Sequence, residues 1–166
     1  YSAPKVSVGP FRKLRKIAVG KTLFLAFVWT YVTTVLPIAL DGGRWNYASQ
    51  LFILSRFSLI YAICILFDYR DRESDRREGI RSMITYFNES GINALFFISV
   101  ALFAGSTVAL RLYDLRIAVI AFLLAPGFIL VALYRVAKKN FSDYLYYFVL
   151  DGLMAFSAIL TAFLSF

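Results

Sequence analysis

The sequence predicts an all-α protein, a polytopic transmembrane helix bundle of five spans. Of its 166 residues, 60% are hydrophobic and the mean hydropathy is +0.70, too apolar for a water-soluble domain. The charges cluster, leaving apolar stretches of about 18 to 23 residues, long enough at 1.5 Å per residue to cross a hydrocarbon core of about 30 Å. Lys and Arg also alternate between rich and poor connecting segments: six in residues 1–21, one in 41–44, five in 68–82, two in 111–116 and three in 135–143. By the positive-inside rule the N-terminal segment, an Asp-rich loop at 68–89 and the 135–143 segment share the cytoplasmic side.

Taken in order, residues 1–21 form a basic, loop-like lead-in containing Pro4, Gly9 and Pro10. Its stretch 11–19 suits the membrane surface, with aliphatic stems in the interface and charges among the headgroups. The first span is 22–40, nineteen residues without a charge, and Pro37 is expected to kink or end it. Asp41-Gly-Gly-Arg44 is a tight turn. The second span, 45–67, is interrupted only by Arg56. Residues 82–89 are expected to form a short amphipathic helix in the interface. The third span is 90–110 and the fourth is 117–134. Pro126-Gly127, in the middle of the fourth, is expected to bend or break the helix. The fifth span, 144–166, contains Asp151. Residues 1–166 make one transmembrane domain, expected to be the C-terminal part of a longer protein because the chain opens on Tyr1 without Met.

The densest charge lies between the second and third spans, in Asp68-Tyr-Arg-Asp71-Arg-Glu-Ser-Asp75-Arg-Arg-Glu-Gly79-Ile-Arg81. Acids at i, i+3 and i+7 fall within roughly 60° on one helix face. Carboxylates held that close repel one another unless a cation lies among them, and hard oxygen ligands suit Mg²⁺. The arginines at 70, 72, 76, 77 and 81 point mostly elsewhere and are placed to meet an anion that such a metal carries. A metal-bridged phosphate or diphosphate is the ligand this chemistry implies. The same charges equally suit a solvated loop that sets topology, and spacing leaves both readings open.

Two charges lie inside the apolar spans. Arg56 is about 18 Å of helix from Asp68, too far to serve as a primary diphosphate ligand. It needs a partner or a water-filled cavity. It either pairs structurally with Asp151 or orients a polar group of a bound molecule. His is absent, which excludes histidine metal sites, haem ligation by His and any His-based triad or general base. The single cysteine, Cys64, allows no disulfide within the chain and reads as a core or lipid-facing residue. The net charge of +8 is confined to connecting segments, so topology explains it and no nucleic-acid partner is expected.

With these residues in view, the chain resembles the UbiA superfamily of intramembrane prenyltransferases. That family's second aspartate-rich motif, Asp-x-x-Asp-x-x-x-Asp, is matched by Asp68, Asp71 and Asp75, followed by a basic stretch, Gly79, and Ser82 before a hydrophobic run. Tyr1-Ser-Ala-Pro-Lys5 resembles the Tyr-x-x-x-Lys segment leading into the family's fifth helix. The five spans then correspond to helices five to nine of a nine-helix fold.

The resemblance implies transfer of an isoprenyl group from an isoprenyl diphosphate to a lipophilic, usually aromatic, acceptor. Asp68, Asp71 and Asp75 would hold Mg²⁺ against the diphosphate. Lys5, Arg72 and Arg76, with Tyr1, would contact the departing diphosphate. An inner or plasma membrane is the expected location. The family's first Asp-rich motif has no match here; Asp114, Asp143 and Asp151 are isolated. The implied partner is therefore an N-terminal half or its equivalent supplying the other acids, without which these residues are expected to be inactive. The alternative is a non-catalytic relative that binds an isoprenoid diphosphate or an anionic lipid.

Overall fold

The computed structural model describes residues 18–40, 42, 45–77, 87–139, 142 and 144–156, with side chains at all of these except 18, 19 and 73–76. Among the described residues the regular structure is helical throughout, with no strand. Helix α1 runs Ala18–Thr30, passes through a π-helical turn at Tyr31–Val35 and finishes as Leu36–Leu40. Helix α2 is Tyr47–Arg77, α3 is Glu89–Ala109 with a 3₁₀ turn Leu110–Tyr113, and α4 is Ile117–Ala137. The last element, α5, is Tyr144–Phe156, whose first seven residues are π-helical. Four helices are long and apolar enough to cross a membrane, and α5 is a shorter apolar one. Residues 157–166 of the expected fifth span lie outside the described set.

Helix α2 is the axis of the bundle. Every residue from Ser58 to Leu66 is buried, so this stretch is covered on all sides. A helix apolar all round is stable only when enclosed, and α1, α3 and α4 each pack against α2. Phe96 and Phe103 of α3, Leu130 and Tyr134 of α4, and Leu145 and Tyr146 of α5 complete the core. Cys64 belongs to this core. The outward faces remain apolar, with Phe24, Phe27, Phe97 and Phe128 all exposed. Such a surface suits lipid rather than water.

The largest correction to the sequence reading concerns residues 68–77. They are not a loop: α2 continues through them to Arg77. No Gly or Pro occurs between Gly43 and Gly79, and Asp68 and Arg72 have the acid-before-base i,i+4 spacing that supports a helix. The chain therefore leaves the apolar region without losing its helical register. At the other end of this connection, Phe87 and Asn88 are not helical and Glu89 opens α3, so Glu89 does not belong to a separate interfacial helix. Residues 82–86 of that expected helix lie outside the described set, as do 11–17 of the lead-in.

Local chemistry explains the helix starts. Asn46 and Ser49 cap α2 reciprocally: Ser49 N–H donates to Asn46 Oδ1 at 2.8 Å, and Asn46 N–H donates to Ser49 Oγ at 2.9 Å. Asn88 Oδ1 accepts from Gly91 N–H at 2.8 Å at the start of α3.

The prolines behave differently from one another. Pro37 has no N–H to give Thr33, and the turn before it widens to the π form, with Leu36 N–H donating to Tyr31 O. Pro126, expected to bend or break α4, lies inside a helix that is continuous from Ile117 to Ala137. The role of its neighbour is packing. A Cβ on Gly127 would sit 2.2 Å from a ring carbon of Phe103, so this glycine makes room for that ring between α3 and α4.

Candidate functional site

The charged end of α2 meets each of the other helices, and its three faces have different partners. On the first, Asp68 accepts a hydrogen bond from the Thr22 hydroxyl of α1, whose side chain is buried. Asp71 follows one turn later on the same helix, so the two carboxylates share that side. On the second face, Arg70 Nε donates to Asp71 Oδ1 at 3.0 Å and its Nη2 donates to the Tyr147 hydroxyl of α5 at 2.9 Å. The guanidinium also lies over the rings of Phe67, Tyr146 and Tyr147, 4.7 to 5.6 Å from their centroids. Arg70 thereby fastens α5 to the acid-bearing helix.

The third face belongs to Tyr69 and Arg72. Here Lys138, just beyond the end of α4, donates to Glu89 Oε1 at 2.8 Å and to Asn93 Oδ1 at 2.9 Å, both on α3. Its ammonium lies 4.9 Å from the Tyr69 centroid and 5.4 Å from that of Tyr134. Tyr134 hydroxyl also donates to Asn93 Oδ1. Partial burial by itself depresses the Lys138 ammonium, but the hydrogen bond to Glu89 and the charge of that carboxylate leave it raised above its ordinary value. Arg72 is within electrostatic reach of Glu89, while its buried Nε has no hydrogen-bond partner among the described residues.

Of the residues expected at the site, Asp68, Asp71 and Arg72 are thus gathered at one end of the bundle. Asp75 and Arg76 continue the same helix, their side chains outside the described residues. Tyr1 and Lys5 lie outside them altogether. Among the described residues no three His, Cys, Asp or Glu side chains form a group able to hold a metal. Asp68 and Asp71 nonetheless both offer hard anionic oxygens from neighbouring turns of one helix, the donor type that suits Mg²⁺.

Three participants escaped sequence reasoning. Thr22 reads only as the first residue of an apolar span. Lys138 reads as one of several topogenic cations, and Tyr147 as an ordinary aromatic. Nothing in spacing distinguishes them, because each reaches the site from a different helix.

The two charges within the spans do not pair. Asp151 is exposed on α5 and lies within electrostatic reach of Arg70. Arg56 is buried, with 4% of its surface exposed, and among the described residues none of its three guanidinium nitrogens has a hydrogen-bond partner. Its cation lies 4.9 Å from the Phe52 centroid and 5.9 Å from that of Phe103. Asp151 is instead within electrostatic reach of Cys64 and Arg70, both two or more turns further along α2 towards its charged end, so the two charges sit at different depths. Two cation–π contacts contribute about 1 to 2 kcal/mol each when desolvated. An arginine at mid-membrane costs about 3 kcal/mol on the lowest scales and far more on others, so the rings offset only part of it.

Comparison with known proteins adds no relative: no family model, no curated protein and no solved structure matches the chain.

Proposed function

We propose that this chain forms the diphosphate-binding part of a Mg²⁺-dependent membrane prenyltransferase, which moves an isoprenyl group from an isoprenyl diphosphate to a lipophilic, aromatic acceptor. What supports it most is the placement of Asp68 and Asp71 on successive turns at the end of the buried central helix, with Arg70, Arg72 and Lys138 around them. Acids and cations together at the mouth of an apolar bundle suit a ligand with an anionic head and a long hydrocarbon tail. The Asp-x-x-Asp-x-x-x-Asp resemblance adds the reaction class.

In this proposal Asp68, Asp71 and Asp75 hold the metal, which when bound neutralises charge on the diphosphate leaving group. Thr22 fixes one carboxylate of the set by its hydrogen bond to Asp68. Arg72, with Arg76, takes up the remaining negative charge of the diphosphate, and Lys138 adds a third cation from α4. The apolar residues of α2 and its neighbours exclude water while the allylic carbon is electron-poor. The remaining acids of the site come from an N-terminal half of the same protein or an equivalent partner. The charged end of α2 faces the cytoplasm.

The test is prenyl transfer by the full-length protein in detergent, with Asp71→Asn and Asp75→Asn compared with the wild type. Both variants should keep their helical content and lose Mg²⁺-dependent turnover. Wild-type rates in either would remove the proposal. Tight diphosphate binding without transfer by the wild-type protein, under any acceptor, would favour instead a non-catalytic isoprenoid-diphosphate binder.

A further inference from the structure

We infer that Arg56 is the anchor of a second ligand site, inside the membrane, for the carboxylate of a hydrophobic acid. Arg56 is nine residues into the apolar span that opens at Tyr47, about 14 Å along the helix, near the bilayer centre. It is 4% exposed, and its Nε, Nη1 and Nη2 are all buried without an acceptor among the described residues. A guanidinium does not escape this by losing its proton, because its pKa is too high. The adjacent hydroxyls do not serve it either. Ser55 Oγ and Thr107 Oγ1 bond to each other at 2.6 Å, and Thr107 donates onward to Phe103 O at 2.7 Å. A charged five-donor group is therefore held in an apolar setting with its donors unused.

The chemistry of the missing acceptor follows from depth and shape. Phospholipid phosphates lie at the interface, about 15 Å from the bilayer centre, and so are out of reach. The planar donor fork of arginine matches a carboxylate with two parallel hydrogen bonds. Phe52 and Phe103 flank the guanidinium, so the rest of the ligand meets hydrocarbon. Phe52 is only partly buried. About 18 Å of helix separates Arg56 from Asp68, so an acid bound here shares no reacting atoms with a diphosphate at the charged end. This site accordingly stands or falls independently of the prenyl-transfer proposal.

Thermal unfolding of the full-length protein in lipid nanodiscs tests it. The probes are laurate and benzoate, with lauramide and benzamide as uncharged counterparts. At least one acid should raise Tm in a concentration-dependent way while its amide does not. A response to laurate alone identifies an aliphatic acid, and one to benzoate alone an aromatic acid. Arg56→Met should abolish the response while keeping the helical circular dichroism. Where Arg56→Met does not fold, Arg56→Lys decides, since it keeps the charge but not the fork, and should move the response to higher acid concentration. The inference is overturned if acids and amides act alike, if no acid shifts the wild type, or if either variant responds as the wild type does.

Discussion

Phe103 of α3 occupies the space that Gly127 of α4 leaves by having no side chain. Phe103 is fully buried, and its ring is also one of the two that flank Arg56. A methyl group at position 127 would come within 2.2 Å of one ring carbon and 2.8 Å of another. The ring would have to move, and the α3–α4 interface and the Arg56 environment would move with it. Gly127→Ala should therefore destabilise by about 1 to 3 kcal/mol, the usual range for overpacking a core. Gly105→Ala is the control, because a Cβ there meets nothing within 4 Å. It should be neutral or slightly stabilising, since Ala is the better helix former. Thermal unfolding of both variants in one detergent reads the difference; equal effects would show that Phe103 does not depend on the glycine.

The Ser55–Thr107 bond is a buried tie between α2 and α3. Hydrogen bonds between membrane helices average about 0.6 kcal/mol, because the separated helices find other partners in the membrane. Thr107 retains its own bond to Phe103 O when Ser55 is lost. Ser55→Ala should cost about 0.5 to 1 kcal/mol, and Thr107→Val should add little to it in the double variant. Additive losses in that cycle would rule out a direct coupling.

Thr22 acts on the site through Asp68. Removing a group that orients a metal-binding carboxylate typically costs 10- to 100-fold in metal affinity or activity. For the proposed enzyme, Thr22→Val should raise the Mg²⁺ concentration needed for half-maximal turnover by about 10-fold, and Thr22→Ser should restore it. An unchanged Mg²⁺ dependence in Thr22→Val would leave the hydroxyl with a packing role only.

Lys138 gives a pH prediction. Its ammonium is raised above the ordinary value because Glu89 favours the charged form in the folded state. A raised pKa of this kind contributes stability that is fully present below the unfolded value, about 10.4, and is lost as pH rises through the folded one. Lys138→Met should therefore be less stable than the wild type at pH 7, with the gap closing above about pH 10. A gap of constant size across that range would show that the loss is one of packing against Tyr69 rather than of charge.

Much of the architecture was legible in the residues themselves. The apolar span lengths mark four long helices, though α2 runs ten residues past the expected end at 67, because a bilayer demands about 20 apolar residues per crossing whatever the tertiary arrangement. The i, i+3, i+7 acids likewise put Asp68 and Asp71 on one side of a helix, since 3.6 residues per turn is a local property. The helical state of residues 68–77 was less visible, because a dense run of charge also reads as a loop. No Gly or Pro interrupts it, and it extends the helix before it.

Tertiary structure alone decided the remainder. It made α2 the enclosed helix, brought Thr22, Lys138 and Tyr147 to its charged end, and gave the Pro126-Gly127 pair a packing role in a continuous helix. It also separated Arg56 from Asp151, though both are charges within apolar spans. Which faces of two helices meet depends on their rotation and tilt, set by the summed packing of many side chains. No spacing along one chain segment encodes that sum.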